Sequence, residues 1–572
     1  MAEILLSPGV LSREIDTSFI AEQPPTIGAA IIGPTVKGPV GIPVTVTSYT
    51  DFTSYFGETE VVAGTGSFSY FTSIAAYNYF LNGGQTLLVT RVVSGTYAPA
   101  SASVSGSGSV VAFTLATISE GANMNTGTTV DPNGAFNTLN SASIHSIRFQ
   151  IVSPNTSSGT FSLYIRRGND DTRNPAILET YTGLSMDPLS DNYVARRIGD
   201  YKFTQVSLDG ESSLQITGTY PNKSRYIRVA SVVSPTPQYL VGGVPVASYT
   251  SSIPIATGGN LTGSFNGGVG ALVAGAKFYD QIVSGNIQGV NANSYTSAIS
   301  LLASTNDYQF NVLSIPGLNY ADHDATMSVA LTNTENRGDS VFIMDLGDAS
   351  ASAATVIATA TEIDSSYGAA YYPWLQTLDP ATKQYVFVPA SVMIPGVYAY
   401  NDSVAEPWFA PAGINRGGLS TVIRAASKLS QNTRDNLYQG KVNPIATFPG
   451  QGVVVYGQKT LQTAASALDR INVRRLLIAL KRQIGQVANG LVFQQNNAST
   501  RNSFLAQVNP YLESVQQRQG LYAFKVVMDD SINNAAVIDR NELVGQIYLQ
   551  PTKTAEFIYL NFNITPTGAT FA

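Results

Sequence analysis

The feature that most constrains this chain is a run of consecutive elements between Glu406 and Thr500. A loop punctuated by Pro and Gly, Glu406–Gly418, comes first. A short apolar run comes next, Val453-Val-Val-Tyr456, bounded by Gly452 and Gly457. Four apolar residues in a row, with no polar alternation, fit a strand buried on both faces. Asn472 then stands where an N-cap is expected, and the residues after it repeat at helical spacing. Val473, Leu477, Leu480, Ile484 and Val487 form one apolar stripe. At about 100° per residue, Arg474, Arg475, Lys481 and Arg482 share a different face. Such a basic face is solvated, paired with a neighbouring copy, or turned to an acidic partner.

The α/β signature also appears earlier. Ile27–Ile32 reads as a buried strand closed by Gly33-Pro34, and Val44–Val46 as a second. Ser48 begins a short capped helix that runs to Gly57. A longer helix is expected over 68–81, stopped by Asn82-Gly83-Gly84, with a strand over 86–92. At Ser94 the composition shifts. Residues 94–109 are rich in Ser, Gly and Ala and read as a linker. Residues 110–255 show short alternating runs separated by turn residues, the pattern of an all-β insertion. The pairs Asp170-Asp171 and Asp187/Asp191 fit turn chemistry better than a metal site. From about Gly258 the α/β pattern resumes, with strands over 310–315 and 341–345. Further on lie a helix over 503–518 interrupted by Pro510, and strands over 522–528, 543–549 and 555–564.

Composition excludes several function classes. There is no Cys, and only His145 and His323, which removes thiol chemistry and multi-histidine zinc sites. Gly33 and Gly38 frame four residues like a phosphate loop, but Pro39 stands where the Lys is needed. No Gly-x-Ser-x-Gly elbow occurs, so no enzyme is expected. No apolar run nears the roughly 20 residues of a membrane span, and no basic signal-peptide start is present. Assembly in a cytoplasm, without membrane insertion, is therefore expected. The net charge of −6 argues against direct nucleic-acid binding. It is unevenly spread, with +7 over residues 406–572 and −13 over 1–405.

Three motifs carry a resemblance: Trp408-Phe-Ala-Pro-Ala-Gly-Ile-Asn-Arg-Gly417, Asn443-Pro-Ile-Ala-Thr-Phe-Pro-Gly-Gln-Gly-Val-Val-Val-Tyr-Gly457 and Asn472-Val-Arg-Arg-Leu476. In order and spacing they resemble the contractile tail sheath proteins of bacteriophages, R-type bacteriocins and related injection machines. Phe80-x-Asn-Gly-Gly84 and Pro8-Gly-Val10 add to the likeness.

The resemblance implies an α/β (α+β) multidomain fold. It implies an N-terminal arm (1–20), then 21–95 joining 406–554 in an inner α/β core. A β-rich outer domain (96–257) and a middle subtilisin-like α/β domain (258–405) would lie between, with a C-terminal strand and arm (555–572) at the end. It also implies a structural subunit of a phage tail or of a bacteriocin-like particle, with no cofactor. Its partners would be copies of itself in stacked rings, the tail tube, and the baseplate and terminator proteins. A trimeric adhesin is the rival reading of the Ser/Thr/Gly-rich insertion. Two extended segments would exchange strands between subunits. One is the amino arm, through Ile4, Leu5, Leu6, Val10, Leu11 and Ile15. The other is the last strand, through Phe557, Ile558, Tyr559, Leu560, Phe562 and Ile564. The basic face of Arg474, Arg475, Lys481 and Arg482 would turn to the tube.

Overall fold

The computed structural model describes residues 28–62, 66–107, 110–128, 136–208, 211–256, 263–270, 279, 282–283 and 285–560. Its centre is one eight-stranded sheet. In chain order the strands are β1 (Ala29–Gly33), β2 (Val44–Val46), β3 (Leu87–Arg91), β4 (Val312–Asn319), β5 (Val341–Asp345), β6 (Gly368–Tyr372), β7 (Val442–Phe448) and β8 (Gly452–Val455). They lie in the order β2-β3-β1-β4-β5-β6-β7-β8. The six inner strands are parallel, and β2 and β8 close the two edges antiparallel. Every residue of β1, β3, β4 and β5 is buried. For β1 this is what an unbroken apolar run means in a parallel sheet covered by helices, whereas β3 and β4 also bury Thr90, Arg91, Ser314 and Asn319.

The pairing corrects the expected division of the chain. The amino-terminal strands do not form a separate core with residues 406–554. Instead β1 pairs with β4, Ala29 opposite Val312. Likewise β7 and β8, within the expected C-terminal domain, complete the same sheet through β6. One apolar core therefore runs from Ala29 through Val455 to Ile478.

The longer helices packed on this sheet are α1 (Phe71–Leu81), α2 (Tyr320–Arg337) and α3 (Ala390–Val404). The first and third pack together over it, while α2 lies against β4 and β5. Pro395 sits inside α3. Having no N–H, it leaves the Ser391 carbonyl, four residues earlier, without its helical donor. Ser314 of β4 supplies one: its Oγ donates to Ser391 O at 2.8 Å. Next to Pro395, Gly396 lets α1 come close, since a Cβ there would lie 2.5 Å from Asn78 Nδ2 and 3.0 Å from Asn78 O.

The insertion is β-rich, as expected, but its limits differ. Strands Pro99–Ser105, Val111–Glu120 and Ile227–Val232 make one sheet, and Ile147–Asn155, Thr160–Arg167 and Ile177–Ser185 another. Their shared core includes Phe113 stacked on Phe161 at 5.7 Å, and it reaches Phe265. The middle of the Ser/Ala stretch expected to be a linker is thus the strand Pro99–Ser105, with Ala100, Ala102 and Val104 buried in alternation. At the far end, Val269 pairs with Ala98 and Asn266 with Ser101, so the unit extends past 257. Asp170 holds two buried arginines, Arg166 at 2.8 Å and Arg148 at 3.5 Å. Asp171 caps its turn, accepting from the Arg173 and Asn174 amides.

A third, smaller core lies beyond the central sheet. It is built by α4 (Ile471–Asn489), α5 (Ala498–Gln517) and the hairpin β9 (Leu521–Val527) and β10 (Gln546–Pro551) around Trp408, Leu476, Leu480, Phe504, Leu512 and Val515. α5 runs unbroken through Pro510, contrary to the expected interruption.

Candidate assembly interface

The hairpin β9–β10 is a sheet of two strands, and among the described residues neither outer edge carries another. Its inner face is apolar. Phe524, Val526, Ile547 and Leu549 pack on the small core, while Tyr522 and Tyr548 point outward and are more than half exposed. A two-stranded sheet is marginal by itself and offers a row of unpaired backbone groups along each edge.

Beyond Pro551 the chain continues without regular structure to Leu560. The expected strand 555–564 is therefore not formed within its described part. Only Thr552 makes a backbone bond there, its N–H reaching Gly520 O at 3.2 Å; none among the described residues involves 553–560. Four large apolar side chains follow one another in water, with Phe557, Ile558, Tyr559 and Leu560 70–87% exposed. Phe562 and Ile564 lie outside the described residues, as do Ile4, Leu5, Leu6, Val10, Leu11 and Ile15 of the amino arm.

The segment 552–559 forms one wall of an open groove of about 920 Å³. The opposite walls come from the 408–416 loop, the helix Gln431–Gln439 and Tyr456. Between them Glu556 is held by three side chains. Arg470 reaches both carboxylate oxygens, Nε to Oε1 at 2.7 Å and Nη2 to Oε2 at 3.0 Å. Tyr438 donates to Oε2 at 2.7 Å and Gln458 Nε2 to Oε1 at 3.0 Å. Burial pushes the Glu556 carboxyl up, but these hydrogen bonds outweigh it and hold the group below its ordinary value.

The basic helix differs from its expected form. α4 starts at Ile471 after Arg470, with no side-chain cap, and Asn472 is buried inside it. Residues 471–476 are buried all round, because this end of α4 is wedged between the central core, through Ile471 and Ile478, and the small core, through Leu476 and Leu480. A helix shared by two cores has no free face at that end. Arg474 lies 4.0 Å over the Tyr367 ring and bonds Ser366. Arg475 lies 4.6 Å over Tyr398 and pairs with Asp402. Neither can meet a partner outside the subunit. Arg482 is half-buried and donates to Gln309 at 2.7 Å, and only Lys481 is exposed. An isolated helical wheel carries no information about a second core, which is why the four residues read as one face.

Sequence reasoning missed the Glu556 site. A lone Glu ahead of an apolar run, with partners 86 to 118 residues away, leaves no local signal.

Residues 288–461 match the family model of the phage tail sheath protein central domain, and 463–565 that of the phage tail sheath C-terminal domain. The tail sheath protein of Vibrio phage KVP40 is 47% identical over 186 residues, 32% of this chain and 28% of that protein. The tail sheath protein of Enterobacteria phage T4 is 43% identical over 185 residues, 32% and 28% of the two chains. The matched part thus spans little more than a quarter of either relative. A crystal structure of a sheath tail protein from Listeria innocua shares the fold, with a TM-score of 0.52 over 92% of this chain and 96% of that one, at 10% identity. The two matched domains adjoin and carry the motifs around Asn443 and Asn472, so over residues 288–565 the chain is similar to the central and C-terminal domains of phage tail sheath proteins.

Proposed function

We propose that the protein is the structural subunit of a contractile phage tail sheath. Copies stack as rings around an inner tube, bounded by baseplate and terminator proteins, and contraction drives the tube through the host envelope. The subunit works in the virion after assembly in the host cytoplasm, and it carries out no catalysis. Its energy source is the difference in subunit contacts between two packed lattices, which needs no nucleotide. The observation that carries this reading is the hairpin β9–β10, whose edges pair with no other strand among the described residues, followed by an extended segment, 553–560, whose backbone makes no hydrogen bond to the described residues and whose apolar side chains are in water. Strand addition satisfies all of these groups at once, and main-chain hydrogen bonds tolerate a change of angle between neighbours. The amino segment 1–16, through Ile4, Leu5, Leu6, Val10, Leu11 and Ile15, would supply the second exchanged strand.

Negative-stain microscopy of the purified protein tests the reading directly. Stacked rings or helical polymers are expected, and discrete trimers would favour an adhesin instead. Deleting 1–16, or ending the chain before Ala555, is expected to leave a folded monomer that does not polymerise. Normal sheaths from either variant would refute strand exchange.

A further inference from the structure

Glu556 ties the segment after the hairpin to a different part of the molecule from the one that carries the hairpin. β9 and β10 rest on the small core. The three residues that hold Glu556 lie around the edge of the central sheet. Tyr438 is on the helix before β7, Gln458 comes after β8, and Arg470 precedes α4. The contact is built rather than incidental. Each carboxylate oxygen accepts two hydrogen bonds, and Arg470 approaches in the two-pronged geometry that is strongest for this pair. Gln458 Nε2 also donates to Thr554 Oγ1 at 2.5 Å, so two alternate residues of the segment are gripped from the same side. Lys459 stands 4.5 Å over the Tyr438 ring. The pair is partly sheltered, with the Arg470 and Glu556 side chains 24% and 18% exposed. On either side the chain is exposed: Thr554, Ala555 and Phe557 all face solvent.

We propose that Glu556 is the anchor of the carboxyl arm, clasped by Arg470, Tyr438 and Gln458. It fixes the point at which the arm leaves the subunit and passes a neighbour's pull into the central sheet. Residues from Phe557 onward are then the part given to a second copy of this chain, and residues up to Glu556 stay with their own subunit. This rests on the reading that the arm joins neighbours. It adds a fixed pivot, so the hairpin edge and the arm root keep their separation while the angle between subunits changes. Without the clasp, the residues from Lys553 to Glu556 would also swing free, since the last backbone bond before them is that of Thr552 to Gly520. The second copy would then meet a longer and less ordered strand, which costs more entropy to dock.

Five proteins test it: the full chain, a chain ending at Glu556, Glu556→Ala, Glu556→Gln, and the charge exchange Glu556→Arg with Arg470→Glu. Two readouts are needed, the rate of tryptic cleavage after Lys553 in the unassembled subunit and the protein concentration at which polymers form. The chain ending at Glu556 is expected to cleave at the full-length rate and not to polymerise. Glu556→Ala is expected to cleave at least about tenfold faster and to need at least about tenfold more protein to polymerise, with an unchanged circular dichroism spectrum. The charge exchange is expected to recover part of both. Polymers from the chain ending at Glu556 would remove the arm reading itself. If that chain fails to polymerise but Glu556→Ala cleaves and assembles like the full chain, the arm stands and the clasp is overturned. Glu556→Gln keeps the shape and loses the charge. It covers the case in which the alanine variant misfolds, and wild-type cleavage in that variant would equally refute the anchor.

Discussion

At the seam between insertion and central sheet, two buried residues titrate in opposite directions. Glu60 takes its hydrogen bonds from Asn123 of the insertion, at 3.0 and 3.2 Å, and burial pushes its carboxyl from 4.5 up to about 7. His145 of the insertion donates from Nε2 to the Thr59 carbonyl at 2.9 Å, and burial with the nearby Lys37 charge pushes it down to about 4. A raised carboxyl gives stability that is complete below pH 4.5 and lost as pH rises through 7. A depressed imidazole gives stability that is complete above pH 6.5 and declines as pH falls toward 4. Between about pH 4.5 and 6.5 the two slopes oppose each other, each worth roughly 1.4 kcal/mol per pH unit at most. Glu60→Gln is therefore expected to make stability rise with pH across this window relative to wild type. His145→Asn is expected to make it fall. Denaturant midpoints at several pH values would show this, and parallel curves for all three proteins would mean that neither group titrates as placed. Neither residue was legible as a pair, because 85 positions separate them and only the folded seam brings Thr59 to His145.

At the scale of elements, α3 shows how a helix can hold a proline when a neighbour compensates. Ser314→Ala would leave the Ser391 carbonyl buried without the donor that replaces Pro395's missing N–H. The expected loss is about 1–3 kcal/mol. Gly396→Ala would gain up to about 1 kcal/mol of helix propensity. It would also push a methyl against Asn78, where the contact is with backbone as well as side chain. Overpacking of that kind costs about 1–3 kcal/mol, so net destabilisation is expected, and a shift of the urea midpoint to lower concentration checks both variants. The sequence pattern reads well where burial alone decides the element. The unbroken run Val341–Asp345 is the strand expected from it, and Ser48 caps its helix by accepting from the Asp51 amide at 3.1 Å. It misleads where small residues do structural work. Pro99–Ser105 alternates at period two, yet its Ser/Ala composition resembles a linker, because its buried side chains are only Ala and Val. Likewise, the four apolar residues from Phe557 suggest a strand, but a strand needs a partner, and none lies within the described chain.

At the scale of the whole molecule, the insertion joins the central sheet at one place. It enters and leaves through adjacent segments, where Ala98 and Val269 exchange backbone hydrogen bonds at 2.8 and 3.1 Å. Its core is its own, from Ala100 to Phe265. The contacts it makes with the central unit are mainly polar. Arg91 bonds the Glu120 carbonyl at 2.7 Å, Val40 N–H bonds Glu120 Oε2, and Arg225 pairs with Asp51 at 3.0 Å. Since entry and exit lie side by side, a short linker can replace everything between them without moving β3. The boundary decides the outcome. Removing 96–270 takes the whole β unit away, and the remaining chain is expected to fold and to polymerise. Some stability should be lost, since Arg91 and Glu60 lose their partners from the insertion. Removing only 96–257 would leave Phe265, fully buried against the missing core, together with its flanking strand remnant in water. That protein is expected to aggregate. Circular dichroism, size-exclusion chromatography and negative-stain microscopy of the two deletions separate the cases. Rings from the longer deletion would make the insertion peripheral to the lattice, whereas a folded monomer that cannot assemble would place it within the contacts between subunits.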